Sequence, residues 1–154
     1  GIMALEFFDY TDVNDFHAHF QFSGMEPFTM VIYDLGRLYD LRWDEDKPRL
    51  EELAATEAHL WASSTLYPEQ WQSKRQAWFT AWQEQVKEPT LTALQSFHQN
   101  GGEGDPANDL VMNRGGMVRT TSITSIEKTG SRFSLDLLQL PAKLASEHSL
   151  PLQQ

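Results

Sequence analysis

The sequence predicts an α+β fold in which helices pack on a layered, mostly antiparallel sheet. Two pairs of strand-like segments are joined by short glycine-containing turns, at Leu35 and Gly36 in the first pair and at residues 129–131 in the second. Between these hairpins lie two segments with the three- and four-residue apolar spacing of helices. This order favours an α+β architecture over a doubly wound parallel sheet. We expect a single domain over residues 1–140, followed by a C-terminal tail over residues 141–154.

The N-terminal half contains three further segments with local signals. Residues 1–8 are apolar and suited to a strand, and Thr11 or Asp12 is placed to cap a short amphipathic helix. After the first hairpin, the charged stretch DEDKPRLEELAAT (residues 44–56) is expected to be a loop with a helical turn. The stretch HLWASS (residues 59–64) is expected to be a strand.

Four of the five tryptophans lie close together in residues 59–85. Pro68 suits the first position of a helix, and the helix it opens carries one stripe of large side chains at helical spacing: Trp71, Arg75, Trp78, Phe79, Trp82 and Val86. A stripe of this kind favours a core that packs on a sheet over a ligand platform. A second helix follows, with Thr90 as its N-cap and Gly101 at its end.

Composition excludes several functions. The chain carries 12 Lys and Arg against 22 Asp and Glu, a formal net charge of -10, which argues against binding to nucleic acid or to anionic membranes. It contains no cysteine, so disulfides, thiolate metal ligands and a cysteine nucleophile are absent from it. No run approaches the roughly 20 apolar residues of a membrane helix, and a cytoplasmic protein without a cofactor is the default expectation.

Histidines and serines form two candidate clusters. His17 and His19 lie two apart in a predicted helix, where they point to nearly opposite faces, so no metal site is predicted. His59 precedes Ser63 and Ser64, which raises the hypothesis of a serine hydrolase, although no G-x-S-x-G turn holds either serine. Capping and turn chemistry explains the serines more simply, and a role in a ligand pocket stays open.

Arginines define the other polar cluster, NRGGMVRTTS at residues 113–122. Arg114 and Arg119 stand out in an acidic chain, and the paired glycines allow close backbone approach. One interpretation is contact with an anionic or carboxylate ligand. The alternative is that both arginines neutralise nearby acids.

Four segments, taken in order, carry a family resemblance. They are GIMALEFF with VNDFHAHF, then EPFTMVIYDLGRLYDLRW, then ASSTLYPEQWQSKRQAWF, and finally VRTTSI at residues 118–123. Together they resemble the NRDE-motif proteins of the Transport-and-Golgi-organisation type. The resemblance implies a fold similar to that of the N-terminal-nucleophile hydrolases, an αββα sandwich with antiparallel sheets between helices, of which this chain is an incomplete part.

The same resemblance implies where the catalytic centre lies. The family's expected nucleophile is a cysteine right after the initiator methionine, with the Asn-Arg-Asp-Glu signature soon after it, and neither occurs in this sequence. Asn113, Arg114 and Gly115 begin like the signature but stand far too late. We therefore expect this chain to be the later part of a longer protein, beginning at Gly1 inside the family's Ser-Arg-Gly element, with no catalytic residue of its own.

Candidate pocket residues follow from the resemblance residue by residue. It places Ser63, Ser64 and Arg119 at the pocket wall, with Thr121 and Ser122 flanking Arg119 on the same strand. The expected ligand is a small molecule. The alternative hypothesis is a non-catalytic acidic module that binds a protein or a small ligand through the tryptophan-bearing helix or a hairpin edge. Family members are also linked to haem handling and secretory organisation, and neither these roles nor an oligomeric state follows from the residues.

Overall fold

The computed structural model describes residues 2–63 and 67–140, which belong to two compact units, Gly1–Glu69 and Gln70–Gln154. Both units contain helices and antiparallel strands, so the predicted α+β class is confirmed. The prediction of a single domain over residues 1–140 stays a prediction. The candidate pocket residue Ser64 and the predicted tail, residues 141–154, lie outside the described residues.

The N-terminal segment is helical, so the strand predicted for residues 1–8 is wrong. Helix α1 comprises Ile2–Glu6, and a single 3₁₀ turn, Phe7–Asp9, continues the chain. This segment is rich in Met, Ala, Leu and Glu, which are strong helix formers and outweigh the apolar character that favoured a strand. From the helical segment, Met3 and Phe7 pack against the core of the unit.

Helix α2, Val13–His19, begins at the predicted cap. The carboxylate of Asp12 accepts hydrogen bonds from the backbone N–H groups of Asn14 and Asp15, at 2.8 and 2.9 Å. Those N–H groups have no partner within the helix, so the cap satisfies two of the four free donors at this end. Capping therefore fixes where α2 starts.

The first hairpin forms as predicted. Strands β1, Phe28–Asp34, and β2, Arg37–Trp43, pair antiparallel through a two-residue turn. Both turn residues have positive φ, 47° at Leu35 and 86° at Gly36, as a type I′ turn requires. The turn sets the register, in which Ile32 lies opposite Tyr39 and Val31 opposite Asp40.

A third strand replaces the loop with a helical turn that was predicted for residues 44–56. Strand β3, Pro48–Leu53, pairs antiparallel with β2 and completes a sheet of order β1-β2-β3. Pro48 is tolerated because it opens an edge strand, where a backbone donor is dispensable. Leu50 lies opposite Leu41 and packs on the core, so tertiary packing overrides the helical propensity of the acidic residues.

The core of the first unit lies between the helices and one face of this sheet. Phe16 and Leu41 are fully buried, and the core cluster consists of Val13, Phe16, Phe22, Ile32, Tyr39, Leu41 and Trp43. The side chains of a strand alternate between faces, so Val31 and Asp40 belong to the opposite face of the sheet. That opposite face carries the candidate site described below.

The two predicted helices come next along the chain. Helix α3 comprises Glu69–Gln85 and helix α4 Leu91–Asn100. Along the stripe of α3, Phe79 is buried, and both Phe79 and Trp82 contact Phe97 of α4 at ring-centroid distances of 5.7 and 5.3 Å. This part of the stripe packs on a helix, whereas a sheet was expected. Among the described helices, including α3, none is long and apolar enough to cross a membrane.

Both ends of α4 follow the sequence signals. Thr90 caps the helix by accepting a hydrogen bond from the N–H of Ala93 at 3.2 Å. At the other end, the N–H of Gly101 donates to the carbonyl of Phe97 at 2.7 Å. The predictions of Thr90 as N-cap and Gly101 as C-terminal stop are confirmed.

The second predicted hairpin forms with a shorter first strand. Strands β6, Ser122–Thr129, and β7, Arg132–Gln139, pair antiparallel around Gly130, whose φ is 62°. The strand was predicted to begin at Met117. Instead, a separate short ladder pairs β4, Asn113–Arg114, with β5, Val118–Arg119.

Thr120 separates these two ladders. Its backbone N–H donates to the carbonyl of Met112 at 2.9 Å, and its Oγ1 accepts from the N–H of Met112 at 3.0 Å. These bonds occupy the backbone at the point where a continuous strand would have run from β5 into β6. Oγ1 of Thr120 thus takes the Met112 N–H that a continued ladder would have directed to a backbone carbonyl, and the β4–β5 ladder ends there.

Candidate functional site

A cleft of about 370 Å³ opens on the first unit beside β1. One wall consists of Pro27, Phe28, Thr29 and Val31, and the other of Trp61, Ala62 and Ser63. Pockets for small ligands are typically apolar clefts with a few polar groups, and two hydroxyl-bearing residues, Thr29 and Ser63, stand among apolar neighbours here. The cleft therefore combines apolar side chains with two hydroxyl groups that can orient a ligand.

Residues 61–63 form the second wall. Residues 59–63 do not pair as a strand, so the strand predicted for residues 59–64 is wrong in its described part. A side chain holds the segment instead. The indole Nε1–H of Trp61 donates to Oδ2 of Asp40 at 3.1 Å. A hydrogen bond across 21 positions in sequence, rather than a backbone ladder, fixes the wall of the cleft.

Asp40 is the polar centre beneath Trp61. It lies in the middle of β2 and is only 3% exposed. Its Oδ2 also accepts from Nε and Nη2 of Arg42, at 2.9 and 2.6 Å, and this hydrogen bonding raises the pKa of Arg42. A buried carboxylate needs such partners, because an unpaired buried charge is strongly unfavourable.

The second oxygen of this carboxylate, Oδ1, has no hydrogen-bond donor among the described residues. Within residues 2–63 and 67–140, no group donates a hydrogen bond to Oδ1 of Asp40, although the atom is buried. Leaving a buried acceptor without a partner costs about 1–3 kcal/mol. An orphaned buried oxygen next to a cleft is the feature of this site that core packing does not explain.

His59 makes contacts that bear on the serine-hydrolase hypothesis. Its Nε2 lies 2.9 Å from the carbonyl oxygen of Ala54, so Nε2 carries the hydrogen and donates it. Its ring lies 5.7 Å from that of Trp61. A general base would need an unprotonated nitrogen facing a serine hydroxyl, and the backbone contact leaves only Nδ1 for that role.

The histidine pair in α2 takes two separate partners. Nε2 of His17 lies 3.4 Å from the carbonyl of Pro48, whereas Nδ1 of His19 lies 2.8 Å from Oδ1 of Asp15. Hydrogen bonds from Thr11, and secondarily from His19, lower the pKa of Asp15. In the part of the chain that the structure describes, no three His, Asp or Glu side chains are grouped as metal ligands would be.

The arginine cluster of the second unit divides by role. Nε of Arg114 donates to the carbonyl of Ala107 at 2.9 Å, and Nη2 lies 3.4 Å from Oδ1 of Asn108. The buried Arg75 donates to the carbonyls of Asn108 and Asp109, at 2.8 and 3.0 Å. Both arginines therefore anchor the glycine-rich loop GGEGDPAND, residues 101–109, a role that neither sequence interpretation of Arg114 included.

Arg119 differs from them. It lies half-buried in β5, where its backbone pairs with Asn113, and among the described residues no carboxylate forms an ion pair with its side chain. Thr121 is exposed and Ser122 half-buried just beyond it. Ser63 belongs to the first unit and these three residues to the second, so their grouping into one pocket stays a prediction.

An exposed apolar face is the other notable surface of the second unit. Gln95 of α4 donates to Ser125 and Asp136 on one face of the β6–β7 hairpin, at 3.1 and 3.0 Å. On the opposite face, four large apolar side chains are each at least 50% exposed: Ile126, Phe133, Leu135 and Leu137. We call these four residues the hairpin face. The register places Lys128 beside them, as the cross-strand neighbour of Phe133.

Comparison with known proteins gives no identification. No family model, curated protein or solved structure matches the sequence. Function is therefore inferred from the geometry of the two units and from the resemblance of the four segments.

Sequence reasoning missed Asp40, the residue on which the cleft is built. The available signal was an aspartate at the centre of the strand RLYDLRW, where aspartate is normally depleted. A charged residue in such a place is retained either by a specific partner or by a function. Its partner, Trp61, is distant in sequence, so no local pattern could connect the two.

Proposed function

We propose that this chain is the downstream portion of an NRDE-type protein with an amidohydrolase-like, N-terminal-nucleophile fold, and that its cleft at Trp61 and Ser63 binds a small-molecule ligand. In this proposal the chain supplies part of a ligand pocket and does not supply the nucleophile. The family's expected nucleophile is a cysteine, a residue that this sequence lacks. Alone, the chain would bind a ligand without catalysing acyl transfer.

The proposed fold is supported by the two different faces of the β6–β7 hairpin. Helix α4 contacts one face of the hairpin, and the hairpin face on the other side is apolar and exposed. In an αββα sandwich each sheet has helices on one side and a second sheet on the other. The hairpin has the two-sided character expected of one sheet layer in such a sandwich.

The ligand-binding part is supported by the cleft of the first unit. Trp61 is fixed by its bond to the buried Asp40, so the wall that it provides is preorganised. Ser63, one of the residues that the resemblance assigned to a pocket wall, lies on the same wall. Preorganised walls raise affinity because less conformational entropy is lost when a ligand binds.

An amide-hydrolysis assay tests the claim that the chain alone is not a catalyst. We expect no burst of p-nitroaniline when the purified chain is mixed with an acyl p-nitroanilide at a concentration equal to that of the chain. A burst that survives Ser63→Ala, Ser64→Ala and Arg119→Ala would contradict the proposal. A burst abolished by Ser63→Ala or Ser64→Ala would contradict it too, and would favour the serine-hydrolase hypothesis with His59 as its base.

The hairpin face favours a second candidate, a non-catalytic protein-interaction module. Its occupant would be an apolar protein surface with an acidic residue opposite Lys128, the charged neighbour of Phe133 on that face. A complete module should be monodisperse and unfold cooperatively. A chain that lacks the second sheet of the sandwich should instead aggregate through the hairpin face, and the double substitution Phe133→Thr and Leu135→Thr should suppress this aggregation. Sedimentation velocity distinguishes a monodisperse species from an aggregating one.

A further inference from the structure

We propose that the cleft of the first unit takes a ligand with a protonated amine and an apolar body, in which the amine donates to Oδ1 of Asp40 and the apolar body lies against Trp61. This inference deepens the ligand-binding part of the proposed function and rests on it. It assigns a chemical class to the ligand and a selecting role to Asp40.

Within the described part of the chain, Oδ1 of Asp40 lacks a hydrogen-bond donor, and this suggests which chemical group the ligand presents. All three donors that reach this carboxylate bind Oδ2, two from Arg42 and one from Trp61. Oδ1 is buried, and no group in the described residues donates to it. An ionised carboxylate only accepts hydrogen bonds, so the partner that Oδ1 lacks must be an N–H or O–H donor.

The register of the sheet places the Asp40 carboxylate next to the cleft. Val31, which lines the cleft, lies directly opposite Asp40 in the β1–β2 pair. Side chains that are directly opposite point to the same face with Cβ atoms about 5 Å apart. Trp61 both lines the cleft and donates to Asp40, so a ligand amine that lies between Val31 and the indole approaches the carboxylate of Asp40.

Charge selects among the possible donors. The chain has a formal net charge of -10, which raises the local concentration of cations around it. A charged N–H donor also forms a stronger bond to a carboxylate than a neutral donor does. The indole of Trp61 adds a ring face that attracts cations. Each of these effects favours an ammonium group over a hydroxyl and disfavours a carboxylate.

The test compares three probes of similar shape by NMR. Phenethylamine, 2-phenylethanol and phenylacetate share an aromatic body and differ in a cationic, neutral or anionic head. The chain has five tryptophans, so its ¹⁵N-labelled form should show five indole N–H signals, and Trp61→Phe assigns the one from Trp61. We expect phenethylamine to shift the Trp61 signal with a Kd about tenfold below that of 2-phenylethanol, and phenylacetate to leave the signal in place.

Two matched variants assign the selectivity to one carboxylate. Asp40→Asn keeps the shape of the side chain and one acceptor for Trp61, and it should weaken phenethylamine binding about tenfold while 2-phenylethanol binding changes little. Asp44→Asn removes an exposed acid that pairs with Arg49 and should change neither. The remaining indole signals report whether each variant is folded, and the comparison of probes on the unaltered chain does not depend on any variant.

The outcomes separate this inference from the function on which it rests. Equal affinity for phenethylamine and 2-phenylethanol would overturn the amine assignment and leave a small-ligand cleft in place. No shift of the Trp61 signal by any of the probes at 20 mM would overturn the cleft as a ligand site as well. A shift by phenethylamine that is unaffected by Asp40→Asn would overturn the role of Asp40.

Discussion

Replacing Trp61 by phenylalanine should destabilise the first unit through the loss of one hydrogen bond. The substitution keeps an aromatic body on the cleft wall and deletes the Nε1–H that donates to Asp40 at 3.1 Å. Arg42 still donates twice to the same carboxylate oxygen, so Asp40 keeps a partner. The perturbation therefore isolates the bond between the cleft wall and the sheet.

The magnitude follows from the burial and charge of the acceptor. Asp40 is 3% exposed, so little solvent reaches its carboxylate to replace the lost donor. Hydrogen bonds to charged groups contribute about 1.5–3 kcal/mol net, and the smaller ring adds a minor packing loss. We expect Trp61→Phe to lower the free energy of unfolding by about 2–3 kcal/mol.

Urea denaturation followed by far-UV circular dichroism measures this change without relying on tryptophan fluorescence. Tyr33→Phe is the matched control. It also removes a polar hydrogen from an aromatic side chain on the same face of the sheet, but Tyr33 is 51% exposed. Its effect should stay within about 0.5 kcal/mol. If Trp61→Phe were no more destabilising than Tyr33→Phe, the bond to Asp40 would not be what holds the cleft wall.

Three further predictions concern packing, capping and protonation. Leu41→Ala removes a fully buried side chain and should cost about 2–5 kcal/mol of unfolding free energy, whereas Val31→Ala, at an exposed position of the same sheet, should cost less than half as much by denaturant titration. Thr90→Ala deletes the α4 cap and should cost about 1 kcal/mol, whereas Thr92→Ala, on the exposed helix surface, should be neutral or stabilising in the same assay. Burial lowers the pKa of His98 below 6.5, so the unfolded chain binds a proton more readily and stability should fall as pH decreases through 6.5. His98→Asn should flatten that dependence between pH 7 and 5, and an unchanged slope would contradict the assignment.

Local chemistry explains which parts of the fold the sequence predicts correctly. The first hairpin turn needs positive φ, which Gly36 adopts at no steric cost. The starts of α2 and α4 depend on side chains, Asp12 and Thr90, that satisfy free N–H groups within three residues. Each of these signals acts over a few positions, so the sequence alone contains it.

Two of the wrong predictions, those for residues 44–56 and 59–64, fall where distant contacts decide the structure. β3 exists because β2 offers it a partner and the core accepts Leu50, and neither is visible within residues 44–56. The cleft shows the same limit, since Ser63 was assigned by resemblance whereas Asp40 is connected to Trp61 only by folding. Pairings that span many residues along the chain cannot be derived from periodicity or composition.

The most direct test of the family proposal is to sequence the coding DNA immediately upstream of the Gly1 codon. We predict an open frame that encodes Met-Cys, then Asn-Arg-Asp-Glu, then Ser-Arg leading into Gly1. That result would supply the nucleophile that the sequence lacks and the signature that defines the family. A stop codon followed by a start codon directly before Gly1 would contradict the family proposal and favour the interaction module.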